Sequence, residues 1–160
     1  MNVTSLPPQR GLAKSIHLRF HGAAGCVTGS GFALETSQGR VMIDCGMFQG
    51  SKAERELNHR AFPFDLKDSA AAILNHAHID HSGLLHKLVK HGFTGAIRAT
   101  EAMVDLCSVM LPYSAHIQVS DVENQNQRKA RKARGAVEPV YDGADAEACI
   151  KLFHSESYRA

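Results

Sequence analysis

Apolar and polar residues alternate through SIHLRFHG at residues 15–22, with Ile16, Leu18 and Phe20 set against His17, Arg19 and His21. A period of two is the signature of a half-buried strand. AAGCVTGSG follows, and its three glycines predict a tight turn or a close backbone approach. GFALET, the turn SQGR and VMIDCG then predict a hairpin, with Asp44 and Cys45 at the far end of the apolar run Val41 to Ile43. SKAERELNHR predicts a short polar helix, and AAAILN a short buried strand. In SGLLHKLVKHG the residues Leu84, Leu85, Leu88 and Val89 fall at helical spacing, and Gly92 supplies a stop. GAIRAT predicts another strand. Thr100 is placed to cap a helix through EAMVDLCSVM that ends at Pro112. A separate helix is expected from Ser120, which forms a capping box with Glu123, to a stop at Gly135. A last helix, GADAEACIKLF, begins near Asp142 and Gly143. Strands first, then strand and helix in alternation, predict an α/β fold.

With 160 residues, 44% of them hydrophobic, the chain is long enough to bury a core within one domain. Residues 1–14 hold Pro7, Pro8 and Gly11, show no period and read as a loose leader to a domain over 15–160. The formal charge of +2 excludes the strong imbalance that would by itself announce a polyanion partner. Four cysteines, Cys26, Cys45, Cys107 and Cys149, form no CxxC pair, so neither a disulfide framework nor a thiolate zinc finger is expected. The amino terminus has no apolar core of signal-peptide length, and no stretch is apolar enough to span a bilayer. A cytoplasmic protein without a membrane partner is the expectation.

The chemistry is concentrated in LNHAHIDHSG at residues 74–83, which holds His76, His78, Asp80 and His81. In extended backbone His76 and His78 point to the same side, and Asp80 and His81 fall where the next helix begins. Three imidazoles and a carboxylate drawn together at the end of a buried strand would lose water without gaining partners, unless a divalent metal supplies them. Imidazole nitrogen with carboxylate oxygen suits zinc, with manganese or iron as alternatives. A solvated loop that happens to be histidine-rich is the bland reading, and the density of the cluster weighs against it. His17, His59, His91 and His154 lack a partner by spacing and read as surface or core residues.

The run His76-Ala77-His78-Ile79-Asp80-His81 is an HxHxDH motif, and with GAAGCVTGS and VMIDCGMFQG upstream it resembles the metallo-β-lactamase fold. More narrowly, together with LPYSAHIQ and the basic run after it, the chain resembles the β-CASP branch of metal-dependent ribonucleases. The likeness covers residues 16 to about 158. It implies an αββα sandwich of which only the first half, one sheet and its covering helices, is present, so that an apolar face should lie open. It also implies that His76 and His78 bind one zinc ion and Asp80 and His81 a second. Asp44 would stand beside them as an orienting group, which makes Asp44 and Asp80 the candidate catalytic carboxylates. Two departures are Asn75, where the family usually has threonine, and His86, where proline is common. Neither replaces a ligand. His116 matches the SAHIQ segment and not a metal motif.

The function implied is hydrolysis of RNA phosphodiesters by a metal-activated hydroxide. The family's later ligands and inserted domain are absent, so an amino-terminal part of a longer enzyme is expected. Four ligands shared between two ions fall short of the three that a catalytic zinc ordinarily takes, so weak metal binding and little turnover are expected of the chain by itself. A partner chain supplying the rest, or a homo-oligomer, could complete the site. The basic run Arg128, Lys129, Arg131, Lys132 and Arg134 is a candidate phosphate contact, although a solvated helix end matched to the helix dipole explains it as well. A hydrolase of a small ester, thioester or phosphodiester, and an inactive remnant, are the competing readings.

Overall fold

In a computed structural model of the chain, the residues described are 15–130 and 135–157, the side chain of Lys129 excepted. The expected leader at 1–14 and Arg131, Lys132 and Arg134 lie outside the described residues. Six strands form one mixed sheet in the order of the chain: β1 (His17–Phe20), β2 (Phe32–Thr36), β3 (Gly39–Ile43), β4 (Ser69–Ile73), β5 (Ala96–Thr100) and β6 (Phe153–Glu156). The first three pair antiparallel, and β3 to β6 are parallel. Parallel neighbours need crossovers. These are supplied by α1 (Lys52–Glu56), α2 (Ile79–Ser82), α3 (Leu85–Lys90), α4 (Glu101–Ala130) and α5 (Gly143–Ile150).

Alternation along the strands separates two faces. Ala33, Met42, Ala72, Ile97 and Ala99 are buried with Leu85, Leu88, Cys107, Leu111, Ala115 and Cys149 of the helices, and this is the core. The opposite face lies open, as expected of one sheet and its covering helices: Leu18, Phe20 and Ile73 are 51%, 60% and 44% exposed. Phe32, Leu34, Val41 and Ile43 share that face through their pairing and are only half-buried. All four cysteines are free. Among the described residues no helix is long and apolar enough to cross a membrane.

Several local expectations hold. The short polar helix forms as α1 and the last helix begins at Gly143, each started by a capping box (Ser51 with Glu54, Asp142 with Asp145), and Gly92 takes a φ of +102° after α3. Three do not. The helix expected over 82–92 is two short helices, because the chain is already helical at Ile79 and then breaks at Gly83 and Leu84. Pro112 does not end a helix and Ser120 does not start one: α4 runs unbroken through both. A proline inside a helix costs about 3 kcal/mol through its lost donor and ring clash. Complete burial of Cys107, Leu111 and Ala115 on either side of Pro112 offsets that cost. Finally, α5 stops at Ile150 and the chain turns into β6, which hydrogen-bonds to β5 with Ile97 opposite Phe153. FHSE has one apolar residue, so no local pattern announces this strand.

Candidate metal centre

The site forms where β3 and β4 end side by side. Past Ile43, Asp44 adopts a φ of +58°, and its amide donates to the Ile73 carbonyl at 2.9 Å. Left-handed backbone is strained for most residues and least so for Asp and Asn among those with side chains. Residues 45–47 then run against the start of α2. The amide of Cys45 donates to the His81 carbonyl (2.8 Å), that of Met47 to Ile79 (3.0 Å), and that of Leu84 back to Cys45 (2.8 Å). Gly46 permits this approach, since a Cβ there would stand 1.6 Å from the Asp80 carbonyl oxygen. Ser30, from the glycine-rich loop after β1, joins the same network. Its amide donates to Asp80 O at 2.8 Å, and its carbonyl accepts from Gly46 N at 2.7 Å.

This framework carries the HxHxDH residues. Ala77 is buried while His76 and His78 on either side are exposed, the alternation of an extended segment. The buried Ser82 hydroxyl donates to the carbonyls of Ala77 and His78 at 2.8 and 3.0 Å, which locks the entry into α2. Asp80 and His81 sit half-buried in that short helix. The ring of His76 lies 4.2 Å from that of His78 and 5.1 Å from that of His81, centroid to centroid. Asp80 Oδ2 is 3.8 Å from His81 Nε2.

Beneath the cluster is Asp44, only 2% exposed and fully partnered. Its Oδ1 accepts from the Asn75 amide at 2.8 Å; its Oδ2 accepts from Ser30 Oγ at 2.9 Å and from His81 Nδ1 at 2.8 Å. A carboxylate only accepts, so the neutral His81 ring carries its proton on Nδ1, which leaves the lone pair on Nε2, the nitrogen 3.8 Å from Asp80 Oδ2. A metal-ligating histidine needs this arrangement, one nitrogen anchored and the other free. His76 and His78 have no such anchor among the described residues. There, no group of three or more His, Cys, Asp or Glu side chains closes into ligand geometry. The donor chemistry still fits a divalent ion: imidazoles and a carboxylate on one surface, one imidazole already set in its ligating tautomer.

The remaining candidates stand on other elements. Arg128 is exposed near the end of α4, away from the cluster in sequence and in element, and His116 is exposed on the same helix. His86 is buried in α3 and stacks on Tyr141 with centroids 4.1 Å apart and planes at 12°. Neither of its ring nitrogens has a hydrogen-bond partner. Burial pushes its pKa down to about 4, against a weak opposing pull from the Gly83 and Leu111 carbonyls. Clefts of about 220 and 190 Å³ beside α3 and residues 61–66 contain none of the four HxHxDH residues. The residue that sequence reasoning missed is Ser30. One serine among small residues carries no pattern, and its partners come from distant segments.

Residues 24–137 match the metallo-beta-lactamase superfamily. Ribonuclease TTHA0252 of Thermus thermophilus is 40% identical over 122 residues, 76% of this chain and 27% of the relative. The transcription termination factor FttA of Cenarchaeum symbiosum is 31% identical over 146 residues, 90% of this chain and 20% of the relative. The chain thus spans about a quarter or less of the length of these curated relatives. A solved class B3 di-zinc metallo-beta-lactamase from an Alaskan soil metagenome aligns with 54% of this chain and 32% of its own at 21% identity and TM-score 0.40.

Proposed function

Since this chain belongs to the metallo-beta-lactamase superfamily, we propose that it carries the metal-binding motif of a metal-dependent hydrolase of the β-CASP type, with RNA phosphodiesters as its substrate. The observation that carries the reading is the placement of the His78 and His81 rings 4.2 and 5.1 Å from the ring of His76, with His81 bonded to a buried Asp44. His76, His78, Asp80 and His81 are the residues that would hold the ions, zinc in the first instance. When bound, such ions lower the pKa of water and stabilise negative charge developing on a phosphoryl group.

The chain's own contributions follow from its geometry. Asp44 holds the His81 ring in one tautomer and one orientation, so the Nε2 lone pair needs no reorganisation before ligation. Asn75 and Ser30 in turn hold the Asp44 carboxylate. His76 and His78, exposed and unanchored, can move onto an ion, at the cost of their rotamer freedom. RNA as substrate is supported by the ribonuclease name of the 40% identical relative. A hydroxide mechanism makes no use of the 2′-hydroxyl, so discrimination against DNA would come from contacts elsewhere.

Zn²⁺ titration of the full 160-residue chain tests the metal half of the proposal. Binding is expected in the parent and its loss in His81→Ala and in His76→Ala/His78→Ala; a parent that takes up no Zn²⁺ sinks the reading. Incubation with labelled single-stranded RNA and DNA over a range of salt tests the substrate half. Salt-dependent retention of RNA with little turnover is expected. Indifference to both nucleic acids would remove RNA from the proposal and leave the hydrolase class standing.

A further inference from the structure

Resting on that reading, we infer that the Ser30 hydroxyl is a positioning group for the metal centre: by donating to Asp44 Oδ2 it fixes the carboxylate that selects the tautomer and direction of His81. Ser30 is 5% exposed, so water does not replace its bond. Oδ2 is the shared oxygen, receiving Ser30 Oγ at 2.9 Å and His81 Nδ1 at 2.8 Å, while Oδ1 has only the Asn75 amide at 2.8 Å. Without the serine, Oδ2 is held only by the His81 ring, the very group it orients, so the carboxylate can turn about its Cβ–Cγ bond and the imidazole can turn with it or let go. The serine hydroxyl supplies the second point that prevents this rotation.

Ser30 is also suited to the task by its backbone. Its amide and carbonyl tie Asp80 and Gly46 at 2.8 and 2.7 Å, so the hydroxyl is delivered from a residue already registered to both the β3 end and α2. One serine therefore links the peptide of one candidate ligand, Asp80, to the orientation of another, His81. Because the backbone bonds survive in alanine, a substitution isolates the hydroxyl.

The test is Ser30→Ala and Ser30→Cys in the full chain, read in two ways. The first is the ¹⁵N shifts of the His81 ring in metal-free protein at one fixed pH. The parent is expected to show Nδ1–H alone, Ser30→Ala a mixture of tautomers, and Ser30→Cys, a weaker donor of similar size, an intermediate state. The second is Zn²⁺ affinity, expected to fall about 10–100-fold in Ser30→Ala and less in Ser30→Cys. A folded Ser30→Ala with parental ring shifts overturns the inference. If alanine unfolds the chain, parental shifts in Ser30→Cys do so. The ring-shift measurement needs no metal, so it decides the role of Ser30 even where a parent that ignores Zn²⁺ has already ended the hydrolase reading.

Discussion

His81 Nδ1 lies 2.8 Å from Asp44 Oδ2, a side-chain bond between residues 37 apart that joins the end of one strand to the helix following the next. It turns a buried acid and a half-exposed base into one unit whose free end is a nitrogen lone pair. Asp44→Asn tests the unit with little backbone penalty, since asparagine tolerates the φ of +58° at this position. Its amide offers one acceptor oxygen where the carboxylate offers two, so one of three donors is left unmet. The expected result is a Zn²⁺ affinity lowered about 10–100-fold, with stability reduced by about 1–3 kcal/mol. Calorimetric titration and chemical denaturation measure the two.

Gly46 has no room for a side chain against the Asp80 carbonyl, which a Cβ would approach to 1.6 Å. Gly46→Ala must push α2 away from residues 45–47 and break the ladder that registers Asp80 and His81. A loss of about 3 kcal/mol or more is expected. Denaturant melts of the parent and variant measure it, and an unchanged midpoint would contradict the packing described.

His86 predicts how stability depends on acid. Its pKa falls from 6.5 to about 4 on burial, so below pH 6.5 the unfolded chain takes up a proton that the folded one refuses. The stability from this group is complete above pH 6.5 and is lost as pH falls from 6.5 towards 4, up to about 3 kcal/mol in all. His86→Phe keeps a flat ring against Tyr141 and should flatten that part of the stability profile. Denaturation midpoints across that window, for parent and variant, are the measurement.

Pro112 lies within α4 and carries no amide hydrogen. Pro112→Ala restores a helical donor and removes the ring clash with the preceding turn, so α4 should gain about 1–3 kcal/mol. Thermal melts would show a higher midpoint. A lower one would mean that the proline ring packs usefully enough to outweigh the missing bond.

Much of the candidate centre could be read along the chain, because its ordering rules are local. An extended segment puts His76 and His78 on one side, Ala77 turns inward, and the helix start collects Asp80 and His81. The helix starts at Lys52 and Gly143, and the turn at Gly92, depend on neighbours three residues away or fewer. Only the tertiary structure decided the rest. Whether Pro112 breaks α4 depended on how much of Cys107, Leu111 and Ala115 the core would cover, a quantity that no window of sequence contains. FHSE became a strand because β5 offered it hydrogen bonds. The Asp44 carboxylate acquired its three donors from Ser30, Asn75 and His81 when β3 and β4 were laid side by side. Donor types and their spacing are properties of adjacent residues, whereas a ligand's tautomer and direction come from a buried partner delivered by another part of the fold.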